Sequence, residues 1–247
     1  MNIMIHHLHG KGFDPILGSV DIKDLEKLID KHPNYTYTFD DRLLSQQLAV
    51  DLLDKKGIKG WFFVNHHNVM EQDRMTRERM GDEFYGWFFD NYKVYFLNEA
   101  YKSMGNKFLS QYEFYSDTDR FYRFIRDVYA PSSHETIMKP LRQPIELLPL
   151  DKIKHHNVGL HSYSHPNRIS QLSEVEQFDE YYFNKKWLDV DYGISVISMS
   201  HPMGDYSKFT LEALSDLGIK IGFRADAIMV HNRTDLELPR IDIKNLI

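Results

Sequence analysis

The sequence of 247 residues predicts an α/β fold built on a parallel sheet, and three observations carry that reading. Short apolar or aromatic runs alternate with amphipathic segments, giving at least six strands separated by helices. No composition break marks a second domain, so residues 1–247 read as one domain with a helical insertion at about 70–150. Polar residues also fall just past the strands: His6, Asp40-Asp41, His161, His201 and Arg224 each follow the C-terminal end of one. In a parallel sheet, whether an open doubly wound one or a closed barrel, those ends share a face where active sites are built. Packing does not explain the placement, because buried charge is costly unless paired or metal-bound.

Each element has a local cause. Asn2 to Ile5 is an apolar first strand that runs into His6-His7-Leu8-His9. Gly10, Gly12, Pro15 and Gly18 make the next segment a loop. Ile22, Leu25, Leu28 and Ile29 share one helical face, and that helix stops before His32-Pro33. Tyr35 to Phe39 alternates aromatic residues with Thr, as a strand does, and leads into Asp40-Asp41. Leu43 to Lys56 is a helix with Leu44, Leu48 and Leu52 on one stripe and Gly57 as its stop. Ile58 to Val64, with Trp61-Phe62-Phe63, is a strand buried on both faces. After the insertion the alternation resumes with a strand over Lys154 to Leu160. Ser173-Glu174-Val175-Glu176 opens a helix with a capping box, and it runs to about Leu188. Gly193 to Met199 is a strand, Phe209 to Leu217 a helix closed by Gly218, and Ile219 to Phe223 a last strand.

Composition narrows the function classes. Hydrophobic residues make up 42% and aromatics 14%, enough for a large core. A formal charge of −6 and the lack of a basic run interleaved with aromatics argue against nucleic acid as a partner. Without cysteine there is no disulfide framework, thiolate metal site or Cys nucleophile. No apolar run approaches the roughly 20 residues of a membrane span. The N-terminus does not read as a signal peptide, so a cytoplasmic location is expected.

The chemistry concentrates in Gly159-Leu160-His161-Ser162-Tyr163-Ser164-His165-Pro166. Two imidazoles leaving one strand end can bind the same divalent ion. Pro166 is expected to hold His165 in extended geometry. Of Asp40 and Asp41, one can complete a two-His, one-carboxylate site and the other can stand beside a water as general base. A helix cap near Leu43 explains one of these Asp residues and not both. His66-His67 and His155-His156 read as surface pairs. The aromatics of the insertion (Tyr85, Trp87, Phe88, Phe89, Tyr92) read mainly as packing.

Thr38-Phe39-Asp40-Asp41 followed by His161-Ser162-x-x-His165-Pro166 resembles the first two signature motifs of the polysaccharide deacetylases, the NodB-homology or carbohydrate esterase 4 group. Trp61 to Val64 matches that family's "ATFF"-type strand, and Ser200-His201-Pro202-Met203-Gly204-Asp205-Tyr206-Ser207 is similar to its "YPYG-x-Y-S" segment. Gly222-Phe223-Arg224 and Leu238-Pro239-Arg240 resemble further segments of bacterial members. The resemblance covers roughly residues 1 to 68 and 151 to 247. It implies a distorted (β/α) barrel of about six to seven parallel strands and one divalent ion, zinc first, with cobalt, nickel or manganese as alternatives. Asp41, His161 and His165 would hold the ion, Asp40 would be the base, and a backbone amide near Met203 would help stabilise the oxyanion.

Two departures stand out. The family's better-known members carry an Arg before the third motif's Pro that pairs with the base, where this chain has Met199-Ser200-His201. Arg224 or Arg240 is the expected replacement. The family's late Leu-x-His, source of the general acid, has no clear counterpart, and His231 is the nearest candidate. His6 and His201 are placed to reach the substrate or to sit behind the residues that do. The resemblance thus implies a metal-dependent deacetylase acting on an N-acetylated sugar, and the N-terminus that does not read as an export signal points to the making of a bacterial surface polysaccharide such as O-antigen or capsule. The alternatives are a non-catalytic, metal-containing glycan binder and a hydrolase of O-acetyl groups or other small amides.

Overall fold

The computed structural model describes residues 1–13, 19–66, 147–166, 168–228 and 233–247. The insertion expected at about 70–150 lies outside them as far as residue 146, as do its aromatics, and so does His231.

The described chain is organised on one seven-stranded sheet in which every pairing is parallel. Its strands are β1 (Asn2–Ile5), β4 (Thr36–Asp40), β5 (Trp61–Val64), β6 (Asn157–Leu160), β7 (Ser198–Ser200), β8 (Ile221–Phe223) and β9 (Ile241–Asp242). A short separate pair, β2 (Leu8–His9) with β3 (Val20–Asp21), flanks the segment that reads from sequence as a loop. The sheet order is β8-β7-β6-β5-β4-β1-β9, so strands neighbour one another in chain order, as a β/α winding produces.

The segment before β9 draws this curled sheet toward closure. Gly222 and Arg224 donate backbone hydrogen bonds to Asp235 and Leu238, Leu238 donates back to Gly222, and β9 then pairs with β1. The close approach explains Gly222, where a Cβ would stand 2.3 Å from the Leu236 carbonyl oxygen. The result is the distorted barrel that the resemblance implies.

The α-helices among the described residues are α1 (Ile22–Lys31), α2 (Gln47–Lys56), α3 (Glu174–Asp191) and α4 (Lys208–Asp216). α1 buries Ile22, Leu25, Leu28 and Ile29, the face its spacing predicts. Gly57 ends α2 with φ 67, and Ser173 and Glu176 form the expected capping box at α3. Core aromatics pack under the strands, with Phe39 and Phe62 fully buried and stacked at 4.8 Å. Burying each ring contributes roughly 1.5–3 kcal/mol.

Several boundaries differ from the sequence reading. The strand expected over Gly193 to Met199 is Ser198–Ser200, because Gly193 has φ 64 and Ile197 is half exposed. Residues 154–156 form a turn before β6, and Leu150–Lys152 form a short 3-10 turn whose Leu150 is buried.

Candidate metal centre

Two consecutive left-handed residues, the second carboxylate among them, turn the chain at the end of β4. β4 ends at Asp40, and the chain then reverses through Asp41 (φ 75) and Arg42 (φ 54). Each such conformation costs about 1–3 kcal/mol in a residue with a Cβ, so the surroundings must hold it. The Gln46 side-chain amide donates to the carbonyls of both His6 and Asp40, and Leu148 N–H donates to Arg42 O at 2.8 Å. Asp40 therefore points into the sheet interior, 2% exposed, while Asp41 turns toward the histidines.

The histidine turn is pinned from α3. His161 follows β6, and its N–H is shared between Val64 O and Asn184 Oδ1, both at 3.1 Å. Glu180 accepts from the Ser164 N–H at 2.8 Å and from the Ser164 hydroxyl. Ser162 Oγ accepts from His165 N–H at 3.0 Å. The extended geometry expected for His165 is corrected: its φ is 56, and that of Ser162 is 59. Pro166 disfavours only the right-handed helical region for the residue before it, which leaves the left-handed region open.

These two turns bring three donors together. Asp41 Oδ1 lies 3.3 Å from His161 Nε2 and 3.4 Å from His165 Nε2. Three donors each about 2.1 Å from one tetrahedral ion would stand roughly 3.4 Å apart, so the spacing fits a divalent metal. His161 Nδ1 donates to Ser200 O at 2.9 Å, which leaves Nε2 free as the ligand atom. Two imidazoles and one carboxylate suit zinc and its transition-metal neighbours, and leave positions open for water and substrate.

The electrostatics keep Asp41 ionised, as a metal ligand must be. Burial would raise the Asp41 carboxyl, but the hydrogen bond from His161 and the charges of His165, His161 and His6 hold it far below the usual range. Burial would lower His161, yet Asp40 and Asp41 raise it, while burial prevails at His165 and lowers it.

Asp40 is clamped by the arginine that the third motif lacks. Arg240, 1% exposed, donates from both terminal nitrogens to Asp40 Oδ1 and Oδ2, each at 2.8 Å. It also donates to Ser200 Oγ at 2.7 Å, Thr38 Oγ1 at 3.1 Å and Arg224 O at 2.6 Å, so all its forks are occupied. Ser200 Oγ in turn donates to Asp40 Oδ2 at 3.2 Å. Burial would raise the Asp40 carboxyl, but the Arg240 charge and hydrogen bonds, with His161 and His6, bring it down to about 2.

The remaining residues divide clearly. His6 is beside Asp40, its Nε2 3.7 Å from Oδ2, and its side chain is 38% exposed. Arg224 is corrected as a partner for Asp40: it bonds both carboxylate oxygens of Asp226 and the Ile228 carbonyl instead. His201 is corrected as a substrate contact, being fully buried with Nε2 against Leu236 O at 2.9 Å and its ring stacked on Tyr206. Burial lowers it to about 4. Met203 occupies a strained position, φ 54, in the turn after β7, and its side chain is exposed. His66 is not a plain surface residue, since it stacks on Tyr163 at 4.5 Å and meets Trp187 edge-on.

Sequence reasoning missed Ser200, Gln46, Glu180 and Asn184. Gln177 and Asn184 are polar residues on the buried stripe of α3, with Tyr181 and Leu188, and that pattern was a readable signal. Ser200 carried none.

Comparison with solved structures agrees with the fold. The chain is similar to the Streptococcus pyogenes deacetylase PplD in complex with acetate, at 16% identity over 98% of this chain and 91% of that one, TM-score 0.54. It is similar to a polysaccharide deacetylase from Bacillus cereus, at 12% identity over 98% of this chain and 64% of that one, TM-score 0.54. A de-N-acetylase from Aggregatibacter actinomycetemcomitans matches at 9% identity over 100% of this chain and 98% of that one, TM-score 0.54. No protein-family model matches the sequence, and no curated protein does either. The chain thus has the fold of the polysaccharide deacetylases at low sequence identity.

Proposed function

We propose that this protein is a metal-dependent deacetylase that removes the acetyl group from an N-acetylated sugar of a polysaccharide. The observation that carries the reading is the parting of two adjacent carboxylates: Asp41 to a histidine pair, Asp40 to a buried arginine beside it. A metal site with open positions beside an ionised, arginine-held carboxylate supplies the electrophile and the base that hydrolysis of an acetyl group needs. The names of the structures that share the fold, a polysaccharide deacetylase and a de-N-acetylase among them, point to the same substrate class.

Asp41, His161 and His165 would hold the ion, for which zinc is the first choice and cobalt, nickel or manganese the alternatives. Once bound there, a divalent ion polarises a carbonyl oxygen and makes water a stronger nucleophile near neutral pH. Asp40 takes the proton of the attacking water on the oxygen nearest His6, while Arg240 keeps the carboxylate ionised and aimed. The amine must leave protonated. His6, exposed beside Asp40, is the described histidine we assign to deliver that proton. The setting we infer is the assembly of a bacterial surface polysaccharide.

The test is acetate release from N-acetylated oligosaccharides, run beside O-acetylated analogues of the same sugars. Wild-type protein is expected to release acetate from the N-acetyl series and to lose this activity with His161→Ala. Release from the O-acetyl series alone would reassign the bond cleaved. Unchanged activity in His161→Ala would remove the metal from the mechanism.

A further inference from the structure

We propose a second divalent-metal site, made by Asp54, His155 and His156 at the far end of the sheet from the first. Asp54 stands in the last turn of α2, and the two histidines immediately precede Asn157, the first residue of β6. The first centre follows the C-terminal ends of β4 and β6, so in a parallel sheet the two lie at opposite ends.

The donor set matches that of the first centre, with His155 and Asp54 hydrogen-bonded to each other here. Asp54 Oδ1 lies 2.8 Å from His155 Nε2 and 3.4 Å from His156 Nε2, with the two rings 4.3 Å apart. The three donor atoms all fall within 4.8 Å of one another. A second observation points to a ligand: the His156 side chain is 1% exposed, and its Nε2 is buried and aimed at this point without a hydrogen-bond partner. An unpartnered buried polar atom costs about 1–3 kcal/mol, and an ion on Nε2 would satisfy it at the expense of the long Gly60 contact on the other side of the ring. Phe62 packs near the same ring at 5.1 Å and holds it in place.

Two imidazoles and a carboxylate form a donor set of intermediate softness, suited to zinc, nickel or copper and poor for magnesium or calcium. Asp54 and His155 are about half exposed, which leaves a path for the ion and room for water to complete its coordination. The proton is accounted for within one ring. Gly60 N–H donates to His156 Nδ1 at a long 3.3 Å, so the metal-free neutral ring carries its proton on Nε2. Zinc on Nε2 would require the ring proton on Nδ1, so the ring would have to shift off the Gly60 amide and break that long bond. The bound ion would tie α2 to the turn that enters β6.

The experiment uses the full chain carrying Asp41→Asn and His161→Ala, so that the first centre is gone and the outcome is independent of the catalytic reading. Stripped protein is titrated with zinc by calorimetry, with the Gly60 amide followed by NMR after glycine-selective labelling. One equivalent of zinc is expected, with a shifted Gly60 resonance, and both effects disappear when His155→Ala is added. His155 is half exposed, so this change leaves the core alone. No zinc bound in the parent variant, or zinc that persists unchanged after His155→Ala, overturns the site.

Discussion

Replacing Arg240 with methionine removes the partner of a carboxylate that is itself 2% exposed. The methionine fills part of the volume but donates nothing, so two charge-assisted bonds to Asp40 disappear, with those to Ser200, Thr38 and Arg224 O. Breaking a buried ion pair from one side costs about 3–5 kcal/mol, because the remaining charge has no solvent to turn to. Asp40 escapes part of that cost by binding a proton: without the Arg240 charge, burial pushes its carboxyl upward instead of holding it at about 2. A protonated Asp40 cannot act as base, so acetate release is expected to fall by roughly 10²–10⁴-fold. Its acid limb should also move to higher pH. Equilibrium unfolding of Arg240→Met beside Arg240→Met/Asp40→Asn separates the contributions, since neutralising Asp40 should recover much of the lost stability. A single variant within about 1 kcal/mol of wild type, with its acid limb unmoved, would refute the clamp.

Other consequences can be checked separately. Glu180→Ala frees the Ser164 backbone and hydroxyl that hold the histidine turn, and metal affinity in chelator competition should drop about tenfold or more, as for other changes behind metal ligands. Gly222→Ala places a Cβ on the Leu236 carbonyl, so a loss of at least ~2 kcal/mol is expected in thermal unfolding, with an intact metal triad in the fraction that folds. The Asp40 carboxyl is depressed from 3.8 to about 2 in the folded protein, so its contribution, about 2 kcal/mol, is present above the unfolded value. It is lost as pH falls through about 2, so a stability profile of wild type less that of Arg240→Met/Asp40→Asn should decline on that acid side.

What could be read from the sequence follows from where physical constraints are local. The α1 stripe, the Gly57 stop and the Ser173 capping box depend on residues within one or two turns, and each formed as its spacing predicts. That His161 and His165 would meet one of the two carboxylates was legible because strand ends of a parallel sheet share a face, while the choice of Asp41 came only from the family resemblance. Arg240 was legible only as one of two arginines, because choosing between it and Arg224 depends on how the chain bends after β8. Arg224 is taken up by Asp226, two residues away, while Arg240 reaches Asp40 across 200 residues of sequence. Ser200 was invisible for the same reason: its carbonyl sets the tautomer of His161 and its hydroxyl touches Asp40, contacts that no sequence neighbour announces. The positive φ of His165 escaped because proline restricts its predecessor without choosing among the regions that remain.

The most direct test of the account measures acetate release from an N-acetylated oligosaccharide by chelator-treated protein, before and after zinc is restored, in wild type and Asp40→Asn together. Wild type should be silent when stripped and recover with zinc, whereas Asp40→Asn should bind zinc as tightly and still release no acetate. Full activity in the stripped wild type, or in the zinc-loaded Asp40→Asn variant, would contradict the division of labour between Asp41 and Asp40 on which the function rests.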